Sequence, residues 1–167
     1  MKLSTVSTES VDCLQTDSQG TLEVLVQFKR IGNHNLQLPA YQSAEAAGFD
    51  LRSNEEVILV PGKVWLCPTG FACAIQKGYE GQIRPRSGLA SKHMITVINS
   101  PGTIDSDYRG EVKIALINQG IESFKIEYGM RVAQMVIAPV AHAQLVEVDE
   151  LDSTVRGEGG FGSTKYS

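Results

Sequence analysis

The sequence predicts an all-β domain, a jelly-roll-like β-sandwich or distorted barrel carrying one short helix. Three observations carry that prediction. Short β-branched and apolar runs recur from Leu22 onward, turn-forming residues separate them at intervals suited to a sandwich, and a single seven-residue stretch has the composition of a helix.

The elements follow in order. Residues 1–20, "MKLSTVSTESVDCLQTDSQG", are polar with isolated apolar residues and no sustained period, and they read as a flexible arm. Residues 21–150 hold the strand-like runs "LEVLVQF", "EVILV", "KVWLC", "FACAI", "GQIR", "ITVI", "EVKIALIN", "FKIE", "RVAQMVIAP" and "QLVEV". Breakers fall between them at Pro61-Gly62, at Pro68-Thr69-Gly70, at Pro101-Gly102 and at Tyr128-Gly129. "SGLASKH", from Ser87 to His93, is the helical exception, with Ser87 as its expected N-cap. Strands this short and numerous leave no room for helical crossovers, so antiparallel pairing is expected. Residues 151–167 form a glycine-rich tail.

Bulk composition narrows the function classes. At 167 residues and 42% hydrophobic, the chain suits one domain with a sizeable core. A formal net charge of −4 argues against a broad nucleic-acid surface and leaves room only for a compact anion pocket. Cys13, Cys67 and Cys73 lack metal-ligand spacing, and no run approaches the roughly 18 apolar residues of a membrane span. The simplest reading is a cytoplasmic protein with reduced thiols, with a nuclear location as the alternative in a eukaryotic cell. His34, His93 and His142 are scattered and read as surface or packing residues.

Four polar or glycine-rich stretches interrupt the β pattern. In "AAGFDLRS", Asp50 sits inside an apolar strand, either as an exposed-face aspartate or as a carboxylate aimed at a metal ion or bound water. In "RPRSGLASKH", Arg84, Arg86, the Ser87 hydroxyl and the backbone N–H groups from Gly88 onward could converge on one anion; the alternative is a capped helix with solvated arginines. "NSPGTIDSDYRGEVKI" spells a hairpin turn loaded with Asp105, Asp107, Tyr108, Arg109 and Glu111, enough side chains to surround a small planar ligand. In "GMRVAQMVIAP", Gln134 is an amide within a strand core that needs hydrogen-bond partners.

The tail "RGEGGFGSTK" matches two nucleotide-binding spacings by eye. Neither mechanism can operate, because both require a helix after the glycines and only five residues follow Gly162. A soluble, disordered tail is the plain alternative.

Taken together and in this order, the five segments resemble the five motifs of the trimeric deoxyuridine triphosphatase (dUTP diphosphatase) family, over about residues 26–164. The resemblance implies a homotrimer with active sites shared between subunits. It implies hydrolysis of dUTP to dUMP and pyrophosphate, which lowers dUTP, limits uracil incorporation into DNA and supplies dUMP for thymidylate synthesis.

Residue by residue, the resemblance implies that Asp105 activates the water that attacks the α-phosphorus. Aspartate side chains titrate near pH 3.9 in water, so the ionised state that a base needs is available at neutral pH. Arg86, Ser87 and Gly88, with Gln134, would bind phosphates. Asn99, Gly102, Thr103, Ile104 and the Asp105 backbone would read uracil, leaving no room for a 5-methyl group. Tyr108 would lie beneath the deoxyribose, and Lys113 would contact substrate as in some relatives. Asp50 would hold Mg²⁺ through water, while Asp107 and Arg131 brace the site. Arg156, Phe161, Gly162, Ser163 and Thr164 would form a lid, with Phe161 over the base and the rest at the β- and γ-phosphates. Lys165 departs from the glycine that many relatives carry there.

Two rival functions remain at this level. A dCTP deaminase shares the fold, although "RSGLASK" with Asp105 departs from its pattern. A nucleotide-gated regulatory binding protein could use the arm to engage a partner.

Overall fold

Alternation along one strand fixes the architecture. In "EVKIALIN", Val112, Ile114, Leu116 and Asn118 are buried, and Glu111, Lys113, Ala115 and Ile117 face outward, the period-2 pattern of a sheet with one face on a core. A computed structural model describes residues 23–160, so the expectations for the arm and for Phe161, Gly162, Ser163 and Thr164 lie outside the described residues.

Among the described residues the strands are β1 (Val26–Arg30), β2 (Phe49–Arg52), β3 (Val57–Leu59), β4 (Val64–Ile75), β5 (Tyr79–Pro85), β6 (Ile95–Val97), β7 (Gly102–Ile104), β8 (Glu111–Asn118), β9 (Phe124–Ile126) and β10 (Arg131–Pro139). The helix α1 spans Ser87–His93. Two four-stranded antiparallel sheets, ordered β1-β4-β8-β6 and β2-β10-β5-β7, enclose the core, and β3 pairs with β9 in a small ribbon. Val112, Ile114 and Leu116 of β8 join Phe49 and Leu51 of β2, Ile83 of β5, and Ala133 and Met135 of β10 in one hydrophobic cluster. The predicted jelly-roll-like sandwich is therefore the observed one.

Three strand expectations need correction. Pro68-Thr69-Gly70 does not end a strand, because β4 runs through it. Between the Pro68–Lys113 and Ala72–Glu111 pairs, four steps on β4 face two on β8, which makes this a bulge. Thr69 Oγ1 donates to Val112 C=O at 2.7 Å, and the Gly70 N–H donates to Glu111 Oε1 at 2.9 Å. Gly70 takes φ 75° under the His34 ring, whose Nε2 donates to Gly70 C=O at 2.8 Å. Pro68 is tolerated because β1 reaches along β4 only as far as Phe71, so no neighbour on that flank needs its missing N–H.

The first run starts later than expected, at Val26, because Val26 faces Ile75 and β4 ends there. "QLVEV" forms no strand: Leu145 and Val146 are 91% and 69% exposed. Strand propensity expresses fit to a half-buried pleated surface, and within this chain no sheet edge receives that run.

Asn118 ties three segments together from a fully buried position. Its Nδ2 donates to Leu59 C=O and to Glu122 C=O, each at 2.8 Å, and its Oδ1 accepts from Gly120 N–H at 2.8 Å. Asn118→Leu fills the same space but strands all three backbone partners, so it should cost about 2–4 kcal/mol. Urea unfolding at matched protein concentration measures this; a loss below about 1 kcal/mol would show that water replaces the amide.

Cys67 and Cys73 are free and buried. Burial pushes the Cys67 thiol up from 9.0 to about 12, against the opposing effect of a 3.3 Å hydrogen bond to the Ser53 hydroxyl. The unfolded chain ionises first, so this contribution to stability is complete below pH 9 and is lost as pH climbs toward 12. The difference between wild type and Cys67→Ala should shrink by up to about 1.4 kcal/mol per pH unit across that window. Parallel stability curves for the two proteins from pH 8 to 11, roughly spanning the thiol range, would contradict it.

Candidate active site

Strand β5 carries the candidate residues as two groups on its opposite flanks. The first gathers where β5 passes into α1. Arg86 is the N-cap residue, with extended backbone, and no side chain caps the helix. The expected Ser87 cap is therefore not made; Ser87 is the first helical residue and, like Gly88, is exposed.

Arg84 and Arg86 do not converge. Residues two apart on an extended chain share a face only while the strand continues, and here it ends between them. Arg84 turns back to Gln82 Oε1, with its Nη2 at 2.6 Å. Arg86 reaches instead across β10: its Nε donates to Asp50 Oδ1 at 3.1 Å and its Nη1 to Arg131 C=O at 3.2 Å.

Asp50 is the hub of this group. Its side chain is 11% exposed, and its second oxygen accepts from Arg131 Nη1 at 3.0 Å. One half-buried carboxylate between two guanidiniums offsets its own partial desolvation and the repulsion of the two cations. Register explains the meeting, since Gln134 of β10 faces Asp50 of β2 on one side and Arg84 of β5 on the other. The Gln134 amide, expected to need a partner, donates to Pro85 C=O at 3.1 Å. Gly48 packs so tightly here that a Cβ would stand 2.9 Å from Met135 C=O.

The second group lies along β7 and the turn after it. The expected simple hairpin is not formed. β6 and β8 pair with each other, and the chain between them crosses to the other sheet, where Gly102, Thr103 and Ile104 pair with Ile83, Gln82 and Gly81 of β5. The apolar "GTI" finds its buried face there, with Gly102 and Ile104 inward. Asn99 packs on Gly102, whose Cβ would lie 3.2 Å from the Asn99 amide nitrogen.

A cleft of about 240 Å³ follows, lined by Thr103, Ile104, Asp105, Tyr108, Glu111 and Lys113. Asp105 is exposed, and among the described residues its carboxylate has no ion-pair partner. Its backbone C=O accepts from Tyr108 N–H at 3.1 Å, which closes the turn. Arg109 braces this turn, donating to Ser106 C=O at 2.7 Å and to Tyr108 C=O at 2.8 Å. Tyr108 Oη donates to Glu111 C=O at 3.0 Å. Glu111, read from the sequence as part of the hairpin's side-chain load, holds the β4 bulge through Oε1 and stands 3.9 Å from Lys113 Nζ through Oε2. The signal was available: the two residues are i and i+2 on one strand and share its outer face.

Within one chain the two groups open on opposite flanks of β5, with Arg86 and Asp105 well apart along it. Ile104 faces Gly81, and Arg86 lies five residues beyond Gly81, on the order of 16 Å at the usual strand rise. Because β7 runs antiparallel, Asp105 lies farther still. Arg86 also turns toward β10 and β2, on the flank of β5 opposite β7.

Arg156 is exposed, and its Nε donates to Gly159 C=O at 2.7 Å, within its own turn. Among the described residues no group of three or more His, Cys, Asp or Glu could hold a metal ion, and no helix is long and apolar enough to cross a membrane.

Comparison with known proteins bears on this arrangement directly. A family model described as dUTPase matches residues 34–165. The chain is 61% identical over 132 residues to the deoxyuridine 5'-triphosphate nucleotidohydrolase of Nautilia profundicola, covering 79% of this chain and 93% of that one. It is 59% identical over 140 residues to the protein of the same name from Rhizobium etli strain CIAT 652, covering 81% and 90%. Among solved structures, a mutant dUTPase of Staphylococcus bacteriophage 80alpha with dUpNHpp superimposes with a TM-score of 0.77 at 30% identity, covering 84% of this chain and 98% of that one. A mutant dUTPase from phage phi11 of S. aureus, described for the coordination of a structural Mg(II) ion, gives a TM-score of 0.71 at 26% identity, covering 77% and 99%.

Proposed function

The chain is a member of the dUTPase family, and from that premise we propose that it hydrolyses dUTP to dUMP and pyrophosphate in active sites shared between the subunits of a homotrimer. The observation that carries the reading is the Asp105 carboxylate, without an ion-pair partner among the described residues, at the mouth of the Tyr108 cleft, with the phosphate-binding candidates on the opposite flank of β5 in the same chain.

Each group then has a task its chemistry suits. Asp105 takes a proton from the water that attacks the α-phosphorus, the role of a positioned general base. Asn99 and the backbone of residues 102–105 read the uracil edge, where main-chain N–H and C=O groups give a fixed polarity. Tyr108 lies under the deoxyribose, and Lys113 borders the same cleft.

From a neighbouring subunit, Arg86, Ser87, Gly88 and Gln134 meet the phosphates, where the charge of the transition state develops. Asp50 and Arg131 hold the Arg86 guanidinium in place. The tail supplies Arg156, Phe161, Gly162, Ser163 and Thr164 as a lid that excludes water. A cleft of about 240 Å³ is smaller than the roughly 300–1,000 Å³ of complete ligand sites, as expected where other subunits add walls.

Mg²⁺ fits this site as an ion carried by the triphosphate. The described residues offer no cluster of direct ligands, and the Asp50 oxygens, each engaged by one guanidinium, keep lone pairs that can accept from metal-bound water. When bound, the ion neutralises phosphate charge.

Turnover in oxygen-18 water tests the reading. The label should enter dUMP, since water attacks the α-phosphorus. Label in pyrophosphate, or ammonia released from dCTP, would refute it.

A further inference from the structure

Gly110 sits outside every role assigned above, yet its surroundings are unusual. A Cβ built there would overlap the Tyr108 hydroxyl and stand 2.6 Å from Tyr108 Cζ and 3.0 Å from Cε2. The backbone does not require glycine, because Gly110 is absent from the positive-φ residues. The three atoms nearest to such a Cβ all belong to the Tyr108 phenol ring. The ring is folded back over Gly110, its hydroxyl held by Glu111 C=O at 3.0 Å.

From this geometry we propose that Gly110 is a positioning residue for sugar discrimination: its bare Cα is the seat that fixes the Tyr108 ring in the cleft. The inference rests on the proposed place of Tyr108 beneath the deoxyribose. The turn itself is pinned independently, by the Asp105–Tyr108 backbone bond and by the two Arg109 bonds. An added methyl group therefore displaces the ring, which is the free end of a side chain, and leaves the strand in place. A displaced ring no longer guards the space that a 2′-hydroxyl would enter.

Steady-state kinetics on dUTP and UTP test this with Gly110→Ala, Tyr108→Ala and the double variant. Gly110→Ala should raise KM for dUTP by ~10-fold with kcat within ~3-fold, and should cut the preference for dUTP over UTP by ~10-fold. In the Tyr108→Ala background the same substitution should add less than ~2-fold, because the ring through which it acts is gone. If Gly110→Ala alone fails to fold, the double variant should fold, since the overlap is removed. Unchanged KM and preference in Gly110→Ala, full additivity with Tyr108→Ala, or a double variant that also fails to fold each overturns the inference. Failure of wild type to prefer dUTP over UTP would instead strike the function proposed above.

Discussion

Asp105→Asn removes turnover: kcat should fall by roughly 10²–10⁴-fold, the usual contribution of a positioned general base, while affinity for dUTP stays within about threefold. Asparagine keeps the shape of the side chain and loses only the ability to take a proton. The turn should survive, because Asp105 closes it through its backbone C=O and Arg109 braces it separately. Among the described residues the carboxylate balances no cation, so its removal leaves no buried charge behind. Single-turnover rates and binding of a non-hydrolysable dUTP analogue separate the two effects. Turnover within about tenfold of wild type would exclude Asp105 as the base.

Mixing two inactive variants should restore activity. Arg86→Ala removes the proposed phosphate-binding group and should lower kcat by roughly 10²–10³-fold, the typical effect of losing one transition-state donor. Asp50 retains Arg131 as partner in that variant, so the fold should tolerate it. If Arg86 and Asp105 of one site come from different subunits, equal mixing followed by reassembly gives each site independent chances of drawing an intact copy of both. About one quarter of sites are then complete in a symmetric trimer, from one half times one half. If both groups came from the same chain, no mixed site would be complete. The distance along β5 and the opposed directions of the two groups predict the first result.

Where local pattern governs structure, the sequence was readable in detail. "EVKIALIN" and "RVAQMVIAP" coincide residue for residue with β8 and β10, and the helix runs from Ser87 to His93 as its composition implies. Reading failed where a partner decides. Pro68-Thr69-Gly70 looks like a break because its continuity depends on Glu111, Val112 and His34, residues far away in sequence. "QLVEV" has the alternation of a strand without an edge to join in this chain. The stretch from Asn99 to Ile114 reads as a hairpin because turn chemistry is local, whereas the pairing of β7 with β5 is not.

The candidate site divides the same way. The family resemblance singled out Asp105, Tyr108 and Arg86 and implied sites shared between subunits, whereas the reach of Arg86 across β10 to Asp50 depends on the register of three strands. Nor could the resemblance expose Gly110, whose need to be glycine arises from the placement of Tyr108 rather than from its own backbone.

The most direct test of the account is the initial rate of pyrophosphate release by the wild-type protein on dUTP, dCTP, dTTP and UTP, with nucleotide products identified. If, as proposed, the cleft reads uracil through residues 102–105 and deoxyribose through Tyr108, it should release pyrophosphate and dUMP from dUTP, with the other three slower by at least ~100-fold. Comparable rates on dTTP or UTP, or ammonia in place of pyrophosphate, would contradict it.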